Sequence, residues 1–207
     1  MLRRVLPALA GLAWLLAGCG SGVASPSSAT PGGRSPSAAA TARGGAATGP
    51  EVNPAGDIPD SQVFVPYTLP SGAFTVDVPQ GWARSVSGGA VTFTDHFNSV
   101  RLETAPASAA PTVASARSSE LPAIRQLTPH MTSEAVSTVS RAAGTAVLIT
   151  YQADSPPNEV TGRSLRLSVE RYELWRGGTE AILTLSGPVG ADNVDPWRRV
   201  TDSFRWR

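Results

Sequence analysis

The chain has 207 residues, with 17 basic side chains against 16 acidic ones and a formal net charge of +1. A balance this close leaves no basic field to hold nucleic acid. Its single cysteine, Cys19, excludes an intramolecular disulfide and any cysteine-rich metal centre.

Arg3 and Arg4 precede the apolar run Val5 to Leu16, which has the length of a secretory core and is too short for a bilayer core of roughly 30 Å. The start of the chain is therefore read as an export signal, not a transmembrane helix. Leu16-Ala17-Gly18-Cys19 resembles the bacterial lipobox. That resemblance implies a lipoprotein signal peptide over residues 1–18, a diacylglycerol on the thiol of Cys19, and Cys19 as the first mature residue. A secretory signal cut elsewhere, for instance after Ala24, is the alternative. Two acyl chains supply the second anchor that one chain lacks, each buried CH₂ contributing about 0.8 kcal/mol. The expected location is the outer face of the plasma membrane, with the lipid bilayer as a partner through acylated Cys19. Without residues 1–18 the chain keeps 15 of its 17 basic residues against 16 acids, a net charge of −1. Every basic residue is arginine, and with 20 Gly and 18 Pro this is the usage of a GC-rich genome.

Residues 19–57 comprise the lipidated cysteine and a Ser, Ala, Thr, Gly and Pro tract lacking Phe, Tyr and Leu. Such a segment buries too little apolar surface to offset its ordering entropy, which predicts a disordered tether. As a flexible coil it would span about 35 Å, and proline stiffens it further. Its Ser/Thr/Pro content resembles that of O-glycosylated stalks.

Residues 58–207 are the right size for one domain with its own core. Ala73 to Pro79 alternates, with Phe74, Val76 and Val78 on one face, and predicts a half-buried strand ending in a turn. The stretches AVTFTDH and SVRLETA alternate likewise and predict a hairpin turning at Phe97-Asn98. Thr112 to Leu127 sets Val113, Ala116, Glu120, Ile124 and Leu127 on one helical stripe, which Pro122 must kink or restart. Strands follow near 134–141, 146–153, 165–175 and 180–185, the middle two joined by the turn-rich DSPPNEVTGR. AVLITY and AILTL are apolar on both alternating faces, so the sheet should be covered on both. The apolar phase of LRLSVERYELW switches, which predicts a bulge near Glu170-Arg171. At the end, Asp195 is expected to cap a helix with Pro196 first inside it and with Trp197, Val200, Thr201 and Phe204 on its docking stripe. The fold class expected is α/β (α+β): a mostly antiparallel sheet with helices on both faces.

This order of elements, with VPQGW at Val78 to Trp82 and W..V..SFRW at Trp197 to Trp206, resembles the PsbP-like fold. The resemblance spans about residues 62 to 207 and implies an α/β/α sandwich. That fold is shared by an extrinsic photosystem subunit, a nuclear import factor that binds a small GTPase, and actinobacterial lipoproteins of the Lpq type, which this chain resembles most. Such proteins mostly bind other proteins and share no catalytic residues, so fold analogy sets a prior, not a function.

The inventory of reactive residues points the same way. His96 and His130 are the only histidines, and no carboxylate cluster stands at ligand spacing, so neither metal nor cofactor is expected. There is no G-x-S-x-G, P-loop or dinucleotide fingerprint. Asp95-His96 with a distant serine could be drawn as a triad, but the simpler reading is a surface histidine in a hairpin. Trp82 and Trp197 are expected in the core, and Trp175 and Trp206 nearer the surface. The hairpin tip supplies the candidate partner-binding residues, His96 and Phe97, since an aromatic at a turn has no obvious core role. The expectation is a non-enzymatic module binding another envelope protein. The alternative is a carrier of a small apolar ligand or lipid, which needs a hollow of roughly 300 to 1,000 Å³ between sheet and helices.

Overall fold

A computed structural model describes residues 55–158 and 160–207; the expected signal segment, Cys19 and the tether up to residue 54 lie outside the described residues. In chain order, β1 (Phe64–Thr68) and β2 (Phe74–Pro79) lead to β3 (Ala83–Ser87), β4 (Ala90–Asp95) and β5 (Asn98–Pro106). A helical segment follows, made of α1 (Val113–Ser115), a π turn over Ala116–Glu120, and α2 (Leu121–Leu127). Then come β6 (Thr132–Arg141), β7 (Gly144–Asp154), β8 (Arg166–Arg176), β9 (Thr179–Pro188), α3 (Val194–Asp202) and β10 (Arg205–Trp206). The main sheet has seven strands in the order β3-β4-β5-β9-β8-β7-β6, and a second has three, β1-β2-β10. All pairs are antiparallel.

Period-two alternation divides the apolar residues between two clusters. Ala181, Leu183 and Leu185 of β9, Ala146 of β7, and Tyr172 and Leu174 of β8 join Phe74, Val76, Val78, Trp197, Val200 and Phe204 in the larger one. The intervening Val147 and Ile149 of β7 meet Ala116 and Val136, with Val113, Leu121 and Ile124 against them. One face of the main sheet is thus closed by the small sheet and α3. The opposite face carries the helical segment beside β6 and β7, and it is otherwise open. The protein is a sheet-dominated α+β structure, and its closed face is covered by a sheet and a helix together, not by a helix layer alone.

Several expectations are corrected. The register of β8 runs unbroken against both neighbours through Glu170 and Arg171, so there is no bulge there. Its apolar phase switches because Leu167 and Val169 serve one face while Tyr172 and Leu174 serve the other. The irregularity lies instead in β6, between Thr132 and Ala135, where Ser133 has φ +55°. The β4–β5 turn is His96-Phe97, and Asn98 already pairs with Asp95. Asn98 is buried because its amide donates to the Gly56 carbonyl and its Oδ1 accepts from Asn193 Nδ2 at 3.0 Å. Gly187 lies under this pair, where a Cβ would stand 2.5 Å from Asn98 Oδ1.

At α3 the N-cap is Asn193, and Asp195 and Pro196 are inside the helix. Asn193 makes no side-chain cap because its Oδ1 accepts from the Ile58 amide and its Nδ2 donates to Gly56. The stripe of Trp197, Val200, Thr201 and Phe204 is buried as expected. Thr112 caps the helical segment through a capping box. The π turn inserts one residue, so Leu121 takes the inward place expected of Glu120, and Leu127 is left 86% exposed. Trp206 is half-buried against Phe74 and Phe204, and Trp175 is half-buried with its indole N–H donating to the Ala107 carbonyl.

Candidate functional site

The open face presents two adjoining grooves. At its near end the hairpin β4–β5 places His96 at φ +49°, a left-handed backbone that a non-glycine residue adopts at some cost. The His96 Nδ1 lies 2.9 Å from Asp95 Oδ1, and the ring points largely into solvent. Phe97 is 45% exposed. It forms a wall of the first groove, of about 620 Å³, together with His96, Pro156, Leu165 and Leu167. The second groove, of about 640 Å³, lies over Tyr151, Ala153, Leu167 and Val169 and is bounded by Leu127 and His130. Ser155, Pro156, Leu167 and Ser186 line both, so the two form one continuous depression.

The β7–β8 loop that overhangs the depression is held by its own polar groups. The Ser155 amide donates to the Leu165 carbonyl and the Leu165 amide to Ser155 Oγ. Asn158 Oδ1 accepts from the amides of Val160 and Thr161, so the asparagine closes a local turn. Where β6 meets the ends of β7 and β8, His130 Nδ1 lies 2.6 Å from Asp154 Oδ2, and Arg166 Nη1 donates to Asp154 Oδ1 at 3.1 Å and to the His130 carbonyl at 2.6 Å. A further Arg166 contact reaches Thr132 Oγ1. The hydrogen bond from His130, and then that from Arg166, hold the Asp154 carboxyl below the usual carboxylate range. This corner fixes the rim of the second groove.

Beyond Val169 the same face becomes charged. Arg101 Nη2 donates to Glu103 Oε2 at 2.8 Å, and Arg171 Nε donates to Glu173 Oε1 at 2.8 Å. Burial pushes the Glu173 carboxyl up despite Arg171. Burial, reinforced by the charge of Glu173, pushes Glu180 up to about 7.

The structure brings the two sequence-predicted residues, His96 and Phe97, to one groove. It leaves His130 at the other end of the depression, paired with Asp154. Leu127 was expected on the apolar helical stripe and Leu165 and Leu167 on a strand; none was read as part of a site, because they complete the apolar lining only through topology. Glu173 was missed too; its signal was a carboxylate inside the strand sequence VERYELW. Among the described residues no group of three or more His, Cys, Asp or Glu is placed to hold a metal ion, and no helix is long and apolar enough to cross a membrane.

No family model and no curated protein matches the chain. Among solved structures, the chain is similar to the Ran-binding protein Mog1p of Saccharomyces cerevisiae, with TM-score 0.46, 11% identity, and 70% of this chain and 96% of that chain covered. It is also similar to LpqN of Mycobacterium tuberculosis, described as involved in cell envelope biogenesis, with TM-score 0.40, 11% identity, and 71% and 92% covered. A Bacteroides thetaiotaomicron protein is similar at TM-score 0.45 and 13% identity, and this chain spans 48% of its length.

Proposed function

We propose that this chain is a lipid-anchored lipoprotein of the Lpq type, held at the outer face of the plasma membrane through Cys19. In this reading residues 58–207 form a non-enzymatic module that binds another envelope protein on the open sheet face. The single observation that carries the reading is the continuous apolar depression between the His96-Phe97 tip and the Leu127–His130 corner. Its rim exposes Phe97, Leu127 and Leu165, and contiguous exposed apolar surface of this kind marks an interaction site. Phe97 suits the role of anchor because an aromatic ring brings large contact area with few rotatable bonds. Both grooves open to solvent along their length, which suits a protein segment better than an acyl chain needing enclosure. The Lpq assignment rests on the lipobox and the motif order of the sequence.

The test is photocrosslinking from position 97 in the full-length chain, in its native membrane, followed by mass spectrometry. The expected result is one envelope protein recovered with the crosslinker at position 97, and an affinity for that purified protein about thirtyfold weaker in Phe97→Ala, since a central anchor contributes about 2 kcal/mol. Recovery of a lipid in place of a protein transfers the depression to the carrier reading. Binding unchanged in Phe97→Ala removes the tip from the interface. In a separate arm, Cys19→Ser should release the protein from the membrane fraction or leave it unprocessed, and full retention of a processed form would overturn the anchoring.

A further inference from the structure

The strand pairs Asp95–Asn98, Leu167–Pro188 and Asp154–Arg166 close one end of the seven-stranded sheet. Eight large apolar side chains are exposed among the described residues, and six of them, Phe97, Leu127, Val160, Leu165, Val189 and Val194, lie in the turns and loops at that end. Of the other two, Val63 precedes the edge strand β1 and Val86 is on the edge strand β3. The turns at the opposite end, Gly88-Gly89, Ala142-Ala143 and Gly177-Gly178, carry none. None of the six joins either core cluster, so packing does not account for them. Apolar side chains scattered singly over a surface need no explanation; a concentration on the loops of one end does. The chain enters the domain at this same end. The Gly56 carbonyl accepts from Asn98 Nδ2 at 2.9 Å and from Asn193 Nδ2 at 3.0 Å, and a Cβ at Gly56 would stand 2.5 Å from the Pro188 ring. Everything N-terminal to Gly56, the apolar run and Cys19 included, is therefore joined to the domain beside Phe97, Val189 and Val194.

We propose that this end of the domain docks on a lipid bilayer, its apolar loop tips entering the headgroup region. The inference rests on the reading of the chain as anchored through Cys19, not on what fills the depression. Side chains on separate loops can each enter between headgroups, whereas a protein partner would have to match all of them on one rigid surface. The polar backbone of the loops stays in the wet headgroup layer, where water satisfies it. Acidic side chains here, among them Asp57, Asp95, Asp192 and Asp195, outnumber Arg163 and Arg166. Apolar contact, not attraction to anionic headgroups, must then hold this end down, and it should persist in high salt. Val160, Val189 and Val194 lie outside both grooves, so docking can be separated from binding in the depression. A domain docked in this way holds the depression at the bilayer surface, which selects a partner whose bound segment lies close to the membrane.

The experiment takes the mature full-length chain from its native membrane and reconstitutes it on phosphatidylcholine vesicles. A nitroxide is introduced through Val194→Cys and, as the control toward the opposite end, through Ser87→Cys. Collisions with oxygen, which partitions into lipid, and with a nickel chelate, which stays in water, report the depth of each label. The label at position 194 is expected about 5 to 10 Å into the headgroup and acyl boundary, in low salt and in about 1 M salt alike, and the label at position 87 in water. Val160→Asp combined with Val189→Asp, both at exposed positions, should return the label at position 194 to water while the chain stays on the vesicles. A nitroxide that attaches to Cys19 of the parent chain, or a parent chain that stays off the vesicles, overturns the anchoring and the docking together. A vesicle-bound chain with position 194 in water overturns the docking alone. Shielding of that position only when envelope proteins are present also overturns it, and gives this end to a protein.

Discussion

The two faces of the seven-stranded sheet are made by alternate residues of the same strands, yet they are finished differently. The closed face buries Leu183, Leu185 and Tyr172 under Phe74, Trp197, Val200 and Phe204, with aromatic contacts such as Phe74–Phe204 at 4.8 Å between centroids. The open face has one helical segment over one side, then an uncovered apolar depression and a charged end. Burial on the first is complete; on the second it stops where surface is left for something else. Stability should therefore be concentrated on one face and binding on the other.

The largest expected effect tests that division directly. Phe204→Ala deletes a fully buried ring and should cost about 3 to 5 kcal/mol, lowering the melting temperature by roughly 10 to 20 °C. Leu167→Ala, in the floor shared by the two grooves, should cost about 1 kcal/mol or less while weakening the partner's binding. Calorimetry and affinity measurements on both variants, compared by denaturation and by crosslinking yield, decide the matter. Equal losses of stability would erase the contrast between the faces.

Much of the closed face is legible in the sequence. Phe74, Val76 and Val78 alternate, and Trp197, Val200 and Phe204 recur at helical spacing, because each belongs to one element with one burial partner. β3 is illegible: all of Ala83–Ser87 is exposed, so no alternation betrays a strand that exists by pairing with β4. The open face is harder still. Phe97, Leu127 and Leu165 are far apart in the chain, the π turn rotates the helical stripe by a residue, and β8 divides its apolar residues between two faces. The hairpin tip could be singled out since it is local; the depression that it borders could not.

The charged end of the open face predicts a pH dependence absent from the closed one. Glu180 has its carboxyl raised from 4.5 to about 7 in the folded protein, so its ionisation is opposed by folding. Below pH about 4.5 it is protonated in both states and costs nothing; as pH rises from there to about 7 the folded state is increasingly penalised, and above that the penalty is constant. Glu180→Gln should therefore melt above the parent at pH 8 and level with it at pH 4. The gain should be about 1 kcal/mol or less, since solvent screens a partly exposed carboxylate. Asp154 has the opposite sign: its lowered carboxyl supports the His130–Arg166 corner above its ordinary range, and that support fades as pH falls through its folded value. A Glu180→Gln advantage at pH 4 equal to that at pH 8 would show that packing, not charge, is responsible.

The smallest effect sharpens the comparison at the hairpin tip, where shape and contact can be separated. His96 is the first of the two turn residues between paired Asp95 and Asn98, and its φ of +49° is the conformation that glycine adopts without strain. Relief of that strain favours His96→Gly, while the greater freedom of an unfolded glycine opposes it, leaving a stabilisation of about 0.5 kcal/mol. The imidazole is largely exposed and bonded only to its neighbour Asp95, so folding gains little by keeping it. If the tip works only by presenting Phe97, His96→Gly should bind the envelope partner as well as the parent, through an unstrained turn. If the imidazole itself touches the partner, affinity should fall although the melting temperature rises. That combination, a more stable protein that binds less well, is what a strained residue retained for contact would produce, and paired thermal and affinity measurements on the one variant distinguish it from mere turn chemistry.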